Sequence, residues 1–462
     1  MDVFSAMQTA VSGLKAQSFS LENISGNIAN SQTTGYKRVD TSFVDLVAEQ
    51  TLGRQVAGSV AANSRFTTTI QGGLAATSIG TNMALNGDGF FVVQRRTGDA
   101  NGQTGFAPGS IYTRRGDFAL DKDGYLVNGG GAYLTGTTLD PSTGQARGQG
   151  PIQISNSILP ARATSTITYS ANLPRSPATS NASTTSAGSE LLGALASGAN
   201  PAILTPTGAS TVSVADAPSF INQTIEGPSL TAYTDSGAPV TVQTRWGKVQ
   251  NGDVGAGLND VWNLFYATDS SVAGNESGWT NAGTSFSFNG SGQLIAPAGN
   301  SVTIPALTID GTNLGNITLQ YGSGGLTQYN ASSGRTTTNT LQQDGYASGT
   351  LIGTSVTSDG KISGTYTNGN TIELANISVV QFANDDGLKA DSGGNYEQTL
   401  ESGEPLLGLR GTTVLGGNVE QSNTDIASEF SKMIVTQQAY SANTKVISTA
   451  QDMMSALMNI IR

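Results

Sequence analysis

Both ends of this chain repeat on a period of seven. From Phe4, steps of three and four reach Met7, Val11, Leu14, Ser18, Leu21, Ser25 and Ile28. Split by sevens, Met7, Leu14, Leu21 and Ile28 form an apolar strip, while Phe4 and Val11 begin a companion strip that turns polar at Ser18 and Ser25. The other terminus repeats the design with Ile426, Met433, Tyr440, Ile447, Met454 and Ile461, beside Phe430, Gln437, Thr444, Gln451 and Met458. A strict seven-residue apolar repeat favours supercoiling against another helix, and polar residues in the second strip weaken the seam but set its register. One amphipathic helix alone most often packs on a globular core. Matched helices at opposite termini point instead to a coiled-coil pair that joins the chain ends.

The outer faces of these helices carry few charges. Residues 1–30 hold Asp2, Lys15 and Glu22, and the C-terminal stretch holds Asp425, Glu429, Lys432, Lys445, Asp452 and Arg462. A solvated helix carries a charged outer face with i,i+4 pairs. Ala, Ser, Gln, Thr and Asn stand here instead, and they tolerate close approach of other protein. The expectation is a helix pair surrounded by neighbouring subunits and marginal in isolation, because such helices draw most of their stability from packing.

Between the ends the chain reads as β-structure. "NGDGFFVVQ" (Asn86–Gln94) places a turn ahead of an apolar strand, and Tyr112–Gly136 alternates short strands with Asp-Gly and Gly-rich turns. From about residue 341 hairpins resume, with turns at Asp359-Gly360 and Asn368-Gly369-Asn370. Ser176–Glu190 is a low-complexity stretch, read as a linker or mobile loop. The fold class expected is mainly β with α-helical termini. The layout expected is nested: residues 1–30 with 425–462 as a terminal coiled coil, and 31–75 with 403–424 as extended linking segments. Residues 76–172 with 341–402 form an inner all-β domain, and 173–340 an outer all-β domain inserted into it.

Composition narrows the function. At 462 residues with 59 glycines, the chain has only 12% charged residues, about half the usual share. The net charge of -11 opposes nucleic-acid binding, since nothing neutralises a row of phosphates. Without cysteine or histidine there are no thiol nucleophiles, no disulfides, no Ser-His-Asp chemistry and almost no route to zinc or copper sites. The N-terminus lacks a signal peptide's basic n-region, and no run reaches the roughly 18 apolar residues of a membrane span. No membrane insertion and no cleaved signal are therefore expected.

"LDKDGY" and "NDDGLKAD" lack full calcium-loop spacing. Asp117, Asp121, Asp123, Asp385 and Asp386 all sit in turn-like contexts, so hairpin turns are favoured over a catalytic carboxylate pair. Tyr112, Tyr125, Tyr133 and Phe118 read as sheet packing. No catalytic, metal or cofactor-binding residue is expected, and no enzyme.

One stretch invites a specific reading. "NIANSQTTGYK" (Asn27–Lys37) leaves the first helix through amides and hydroxyls with no acid. Gly35 can supply a positive φ where helix gives way to extended chain, and the polar side chains can satisfy backbone groups freed there.

"SGLKAQSFSLENISGNIANSQTTGYK" (Ser12–Lys37) resembles the N-terminal signature shared by bacterial flagellar rod, hook and hook-associated proteins. "NVEQSNTDIASEFSKMIVTQQAYSANTKVIST" (Asn418–Thr449) is similar to their C-terminal counterpart. "NGDGFFVV", "YTRRGDFALDKDGYLVN", "LTQYN", "QQDGYASGTL" and "YTNG" match as well, whereas residues 175–320 match in no detail. Length and the last three motifs point to the hook branch of the family, with a distal rod or hook-associated component as the alternative. A secreted adhesin-like β-protein is the rival from another class. Thr424 stands where an apolar residue is usual, and Gln438 where a basic one is.

The resemblance implies a subunit that polymerises into the curved tubular joint between rotary motor and filament. It implies export through the flagellar type III pathway to an extracellular location. The implied partners are many copies of the same chain, the rod, the hook cap, the hook-filament junction protein and the export apparatus. On the family motifs, Asn27, Asn30, Thr34, Gly35, Tyr36, Lys37, Gln421, Ser422, Asn423, Gln437 and Asn443 are the candidate subunit-contact residues. The β-domains would form the outer layers of the tube.

Overall fold

A computed structural model describes residues 3–46, 59–100, 103–156, 158–201, 211–253, 255–268 and 277–460. It divides into two compact units. One comprises residues 1–157 and 351–462, and the other comprises 158–350. The second unit therefore interrupts the first. Its bounds lie outside those read from composition (172/173 and 340/341), because Thr166–Asn172 and Thr337–Gln343 pair with each other in a sheet of the inserted unit.

In the first unit, Val3–Ala29 forms one helix without proline. It stops where side chains take over its last carbonyls: Asn30 Nδ2 donates to Gly26 O at 2.9 Å and Ser31 Oγ to Ile28 O at 2.8 Å. The C-terminal helix Ile426–Ile460 packs along it.

The seam between them is not the large apolar strip read from the sequence. On the N-terminal helix the buried residues are Ala10, Gly13, Ala16, Ser20, Ile24 and Asn27. Met7, Leu14, Leu21 and Ile28 flank that seam half-buried, and Phe4 and Val11 are exposed. On the C-terminal helix Glu429, Thr436 and Ala450 are buried, with Met433, Asn443, Ile447 and Met454 half-buried beside them. Ile426, Phe430, Gln437 and Tyr440 face outward, and Ile461 lies outside the described residues. The cause is close approach: a Cβ added at Gly13 would lie 2.8 Å from Asn443 Nδ2. Small residues let the backbones come together, which leaves larger side chains at the margins.

After the helix, Val39–Leu46 and Ser59–Phe66 form an antiparallel hairpin that packs on the N-terminal helix. Two short ladders then tie the distant halves of the chain: Leu74–Ala76 to Asn418–Glu420, and Met83–Asn86 to Thr413–Gly416. The expected linking segments are thus partly sheet.

The main sheet of this unit runs through Leu351–Val356, Lys361–Tyr366, Thr371–Ile377, Ala132–Leu139, Phe90–Ala100, Ile111–Thr113, Asn395–Glu397 and Lys389–Asp391. Gly360 and Gly369 take φ values of 77° and 80° in its hairpin turns, a region other residues avoid. Phe90, Val92, Tyr112, Val380, Phe382, Leu388 and Tyr396 make one of its cores, with Tyr112 and Phe382 rings 4.8 Å apart edge to face.

The inserted unit is a β-sandwich. One sheet holds Thr166–Asn172, Ser301–Ile309, Thr312–Gln320, Leu326–Thr327 and Thr337–Gln343. The other holds Thr211–Ser213, Ile225–Tyr233, Pro239–Gln250, Asp260–Ala267, Ser277–Phe288 and Leu294–Ala296. Tyr169, Trp246, Trp262, Phe286 and Ile317 fill the space between them, and Trp246 Nε1 donates to Tyr169 Oη at 3.2 Å.

Ser176–Glu190 is not a loose linker. Ala178 N donates to Gly334 O at 2.9 Å, Asn181 N donates to Asn222 O at 3.1 Å, and Thr179 is buried.

Candidate functional site

The stretch that leaves the N-terminal helix meets the stretch that enters the C-terminal one, and their polar groups interlock. Gly35 has φ 68°, and its N–H donates to Glu420 O at 2.7 Å. A Cβ there would stand 2.8 Å from Arg115 N, so both conformation and space call for glycine.

Glu420 is the acceptor at the centre. Lys37 Nζ donates to its Oε1 at 2.6 Å, Gly72 N to the same oxygen at 2.9 Å, and Arg114 Nη1 approaches Oε2 at 3.5 Å. Lys37 also donates to Ile70 O at 2.7 Å. All three charged side chains are almost wholly buried. The Arg114 guanidinium lies 5.4 Å from the centre of the Phe90 ring, a cation–π contact. Burial pushes the Lys37 amine below its ordinary value, and the Glu420 carboxylate opposes that push. Burial raises the Tyr36 phenol, with Glu429 adding to the effect, and burial also raises the nearby Tyr396.

A second knot forms at Asn27. Its Oδ1 accepts from Val39 N at 2.9 Å and from Tyr36 Oη at 3.2 Å. Its Nδ2 donates to Val39 O and to Glu429 Oε2, both at 3.0 Å. Every hydrogen-bonding site of that amide is thereby used. Lys432 Nζ then bridges Glu429 Oε1 at 2.7 Å and Asp40 Oδ1 at 2.9 Å.

A third knot forms at Asn423, whose Oδ1 accepts from Arg38 N at 2.8 Å. Its Nδ2 donates to Thr67 Oγ1 and Ile70 O, both at 3.1 Å.

The remaining candidates are more peripheral. Gln421 N donates to Gly73 O at 2.8 Å, but its side chain is exposed. Ser422 Oγ accepts from Thr424 N at 3.2 Å. Asn30 Oδ1 accepts from Thr33 Oγ1 at 3.2 Å, and Thr34 is half-buried. Asn443 faces Gly13 in the helix seam, while Gln437 points outward. The hydroxyl of Thr424, at the position where the motif departs from its family, is buried without a partner.

Three central residues escape the sequence reading: Glu420, Arg114 and Glu429, the last read as an outer-face charge yet wholly buried. The available signal is scarcity, since in a chain this poor in charge an acid or base within a motif needs a reason.

Of the aspartates weighed for chemistry, Asp117 and Asp123 sit in ion pairs and Asp121 in a turn. Asp117 accepts from Arg115 Nε at 2.8 Å, and Asp121 Oδ1 accepts from the backbone of Asp123 and Tyr125. Asp386 accepts from the Thr68 hydroxyl, and Asp385 is buried in the same short 3-10 turn, where desolvation raises its carboxyl. What the site does is mechanical: it fastens the two chain ends to each other and to the sheet.

Four family models match the chain. "Flagella basal body rod protein" covers residues 7–37, and "Flagellar hook protein FlgE/F/G D1 domain" covers 84–172. "Flagellar basal body protein FlaE D2 domain" covers 199–346, and "Flagellar basal body rod FlgEFG protein C-terminal" covers 415–460. The flagellar hook protein FlgE of Brucella abortus is 30% identical over 469 aligned residues, spanning 100% of both chains. That of Salmonella typhimurium is 30% identical over 98% of each. A solved flagellar hook protein FlgE2 of Helicobacter pylori aligns at TM-score 0.48 and 14% identity, over 74% of this chain and 98% of that one. That likeness is too low to bear on the fold.

Proposed function

This chain belongs to the flagellar hook protein family and is a structural subunit of the hook, and we propose that it self-assembles into a curved, flexible tube. In that tube the terminal helices pack against those of other copies, and the buried junction carries load from the helices to the β-structure. The tube passes motor torque to the filament while bending.

One observation carries this reading. The C-terminal helix leaves Ile434, Val435, Met453 and Met458 exposed to 55%, 65%, 56% and 71%. Large apolar residues left exposed along a helix, two of them beside grooves shared with its partner helix, need further protein to cover them. Low charge supports the same reading: contacts between small polar surfaces can exchange during bending, where a few strong ion pairs would resist. The hook is part of the flagellum outside the cell, and among the described residues no helix is long and apolar enough to cross a membrane. Partners beyond the chain itself are proposed as the rod, the cap, the hook-filament junction protein and the type III export apparatus.

The distal-rod alternative draws on the two rod-protein models, but these reach only the chain ends, whereas the hook relatives align throughout. Removing residues 425–462 tests the assignment. A soluble chain that keeps its β-unit melting transitions and forms no polymer is expected, and normal tubes from the truncated chain would refute the role of the helices.

A further inference from the structure

Two features of the unit formed by residues 1–157 and 351–462 take no part in the junction. The first is the turn that follows Asn395–Glu397, whose tip is Leu400, fully exposed at 103%. This turn is pinned: Thr399 Oγ1 donates to Gly387 O at 2.6 Å, Thr399 N to Ser402 Oγ at 3.0 Å, and Ser402 is wholly buried. A fixed turn therefore holds a bare leucine in solvent, flanked by the exposed Glu401 and Glu404.

The second is a groove lined by Leu120, Lys122, Gln153, Asn156, Ile352 and Thr354. Leu120 and Ile352 are 44% and 66% exposed. The acids beside it are engaged: Asp121 Oδ1 by backbone N–H groups, and Asp123 by Arg96 at 3.5 Å. Lys122, with 76% of its side chain exposed and Asp123 3.9 Å away, is the charge offered outward.

The groove borders Leu351–Val356, the first strand of the main sheet order. The leucine turn follows Asn395–Glu397, the last strand but one. A knob and a groove at different ends of one sheet suit a head-to-tail contact between copies, and repetition of such a contact generates an open helical polymer.

We propose that Leu400 of one copy seats between Leu120 and Ile352 of the next, with Glu401 or Glu404 facing Lys122. This contact rests on the hook reading and adds a link between subunits outside the helices. The chain contains no cysteine, so a crosslink tests it cleanly. A chain carrying both Leu400→Cys and Ile352→Cys, assembled and mildly oxidised, should give a ladder of multimers on a non-reducing gel, and neither single variant should. Leu400→Asp should raise the concentration needed for assembly at least tenfold with monomer melting unchanged. Lys122→Glu should also weaken assembly, and adding Glu401→Lys should restore it. Tubes without a ladder, or an unchanged threshold in Leu400→Asp, would overturn the contact and leave the hook reading standing. Absence of tubes from the unaltered chain would overturn both.

Discussion

Lys37 and Glu420 stand 383 positions apart in sequence and 2.6 Å apart in space, both closed off from solvent. Desolvating two such charges costs several kcal/mol, which their attraction repays only with good geometry and further hydrogen bonds. Here the further bonds come from Ile70 O, Gly72 N and Arg114, all from the segment before the inserted unit, so Glu420 alone brings the C-terminal side into the cluster. The arrangement specifies one way for the ends to meet.

Glu420→Ala should therefore be severe. It leaves Lys37 and Arg114 buried with no carboxylate, a loss of about 3–5 kcal/mol. Chemical denaturation followed by a probe in this unit should show the midpoint falling, with the transition of residues 158–350 unmoved.

Two glycines near the end of the N-terminal helix should respond in opposite directions to alanine. Gly35→Ala forces a side chain into the left-handed region at about 1–2 kcal/mol, and its Cβ would meet the backbone of Arg114 and Arg115. Gly26→Ala meets nothing within 4 Å and removes a flexible residue from the helix, a gain of about 0.5–1 kcal/mol. Thermal melting and helix content by circular dichroism will order the two variants on either side of the parent.

The inserted unit should weaken in acid. Burial pushes the Asp344 carboxyl up, but hydrogen bonds from Ser165 Oγ and from the Ser165 and Thr166 amides, with Arg162 nearby, hold it below its ordinary value. A depressed native pKa means that the unfolded chain binds the proton more readily. The stabilisation is complete above the unfolded value of about 3.9 and is lost as pH falls through the native one. Urea midpoints for this unit should be level from pH 5 to 7 and drop below pH 4. In Asp344→Asn the midpoint should start lower and fall less steeply.

Legibility in the sequence followed the range of the interaction. The heptads revealed two helices and their pairing, since that pattern is local. They misplaced the seam, because apolar content marks bulk, whereas Ala10, Gly13 and Ala16 pack by being small. Asn27, Gly35, Lys37 and Asn423 stood out through composition and motif. Glu420 and Arg114 did not, because their meaning lies in a pairing across 306 residues. Ser176–Glu190 misled for the same reason. Its low complexity suggested freedom, but its backbone is held by Asn222 and Gly334, which the local sequence does not show.

Electron microscopy of the purified full-length chain under assembly conditions tests the central claim most directly. Hollow, curved tubes built by this chain alone are expected. Straight rods, or monomers that stay dispersed at every concentration, would contradict it.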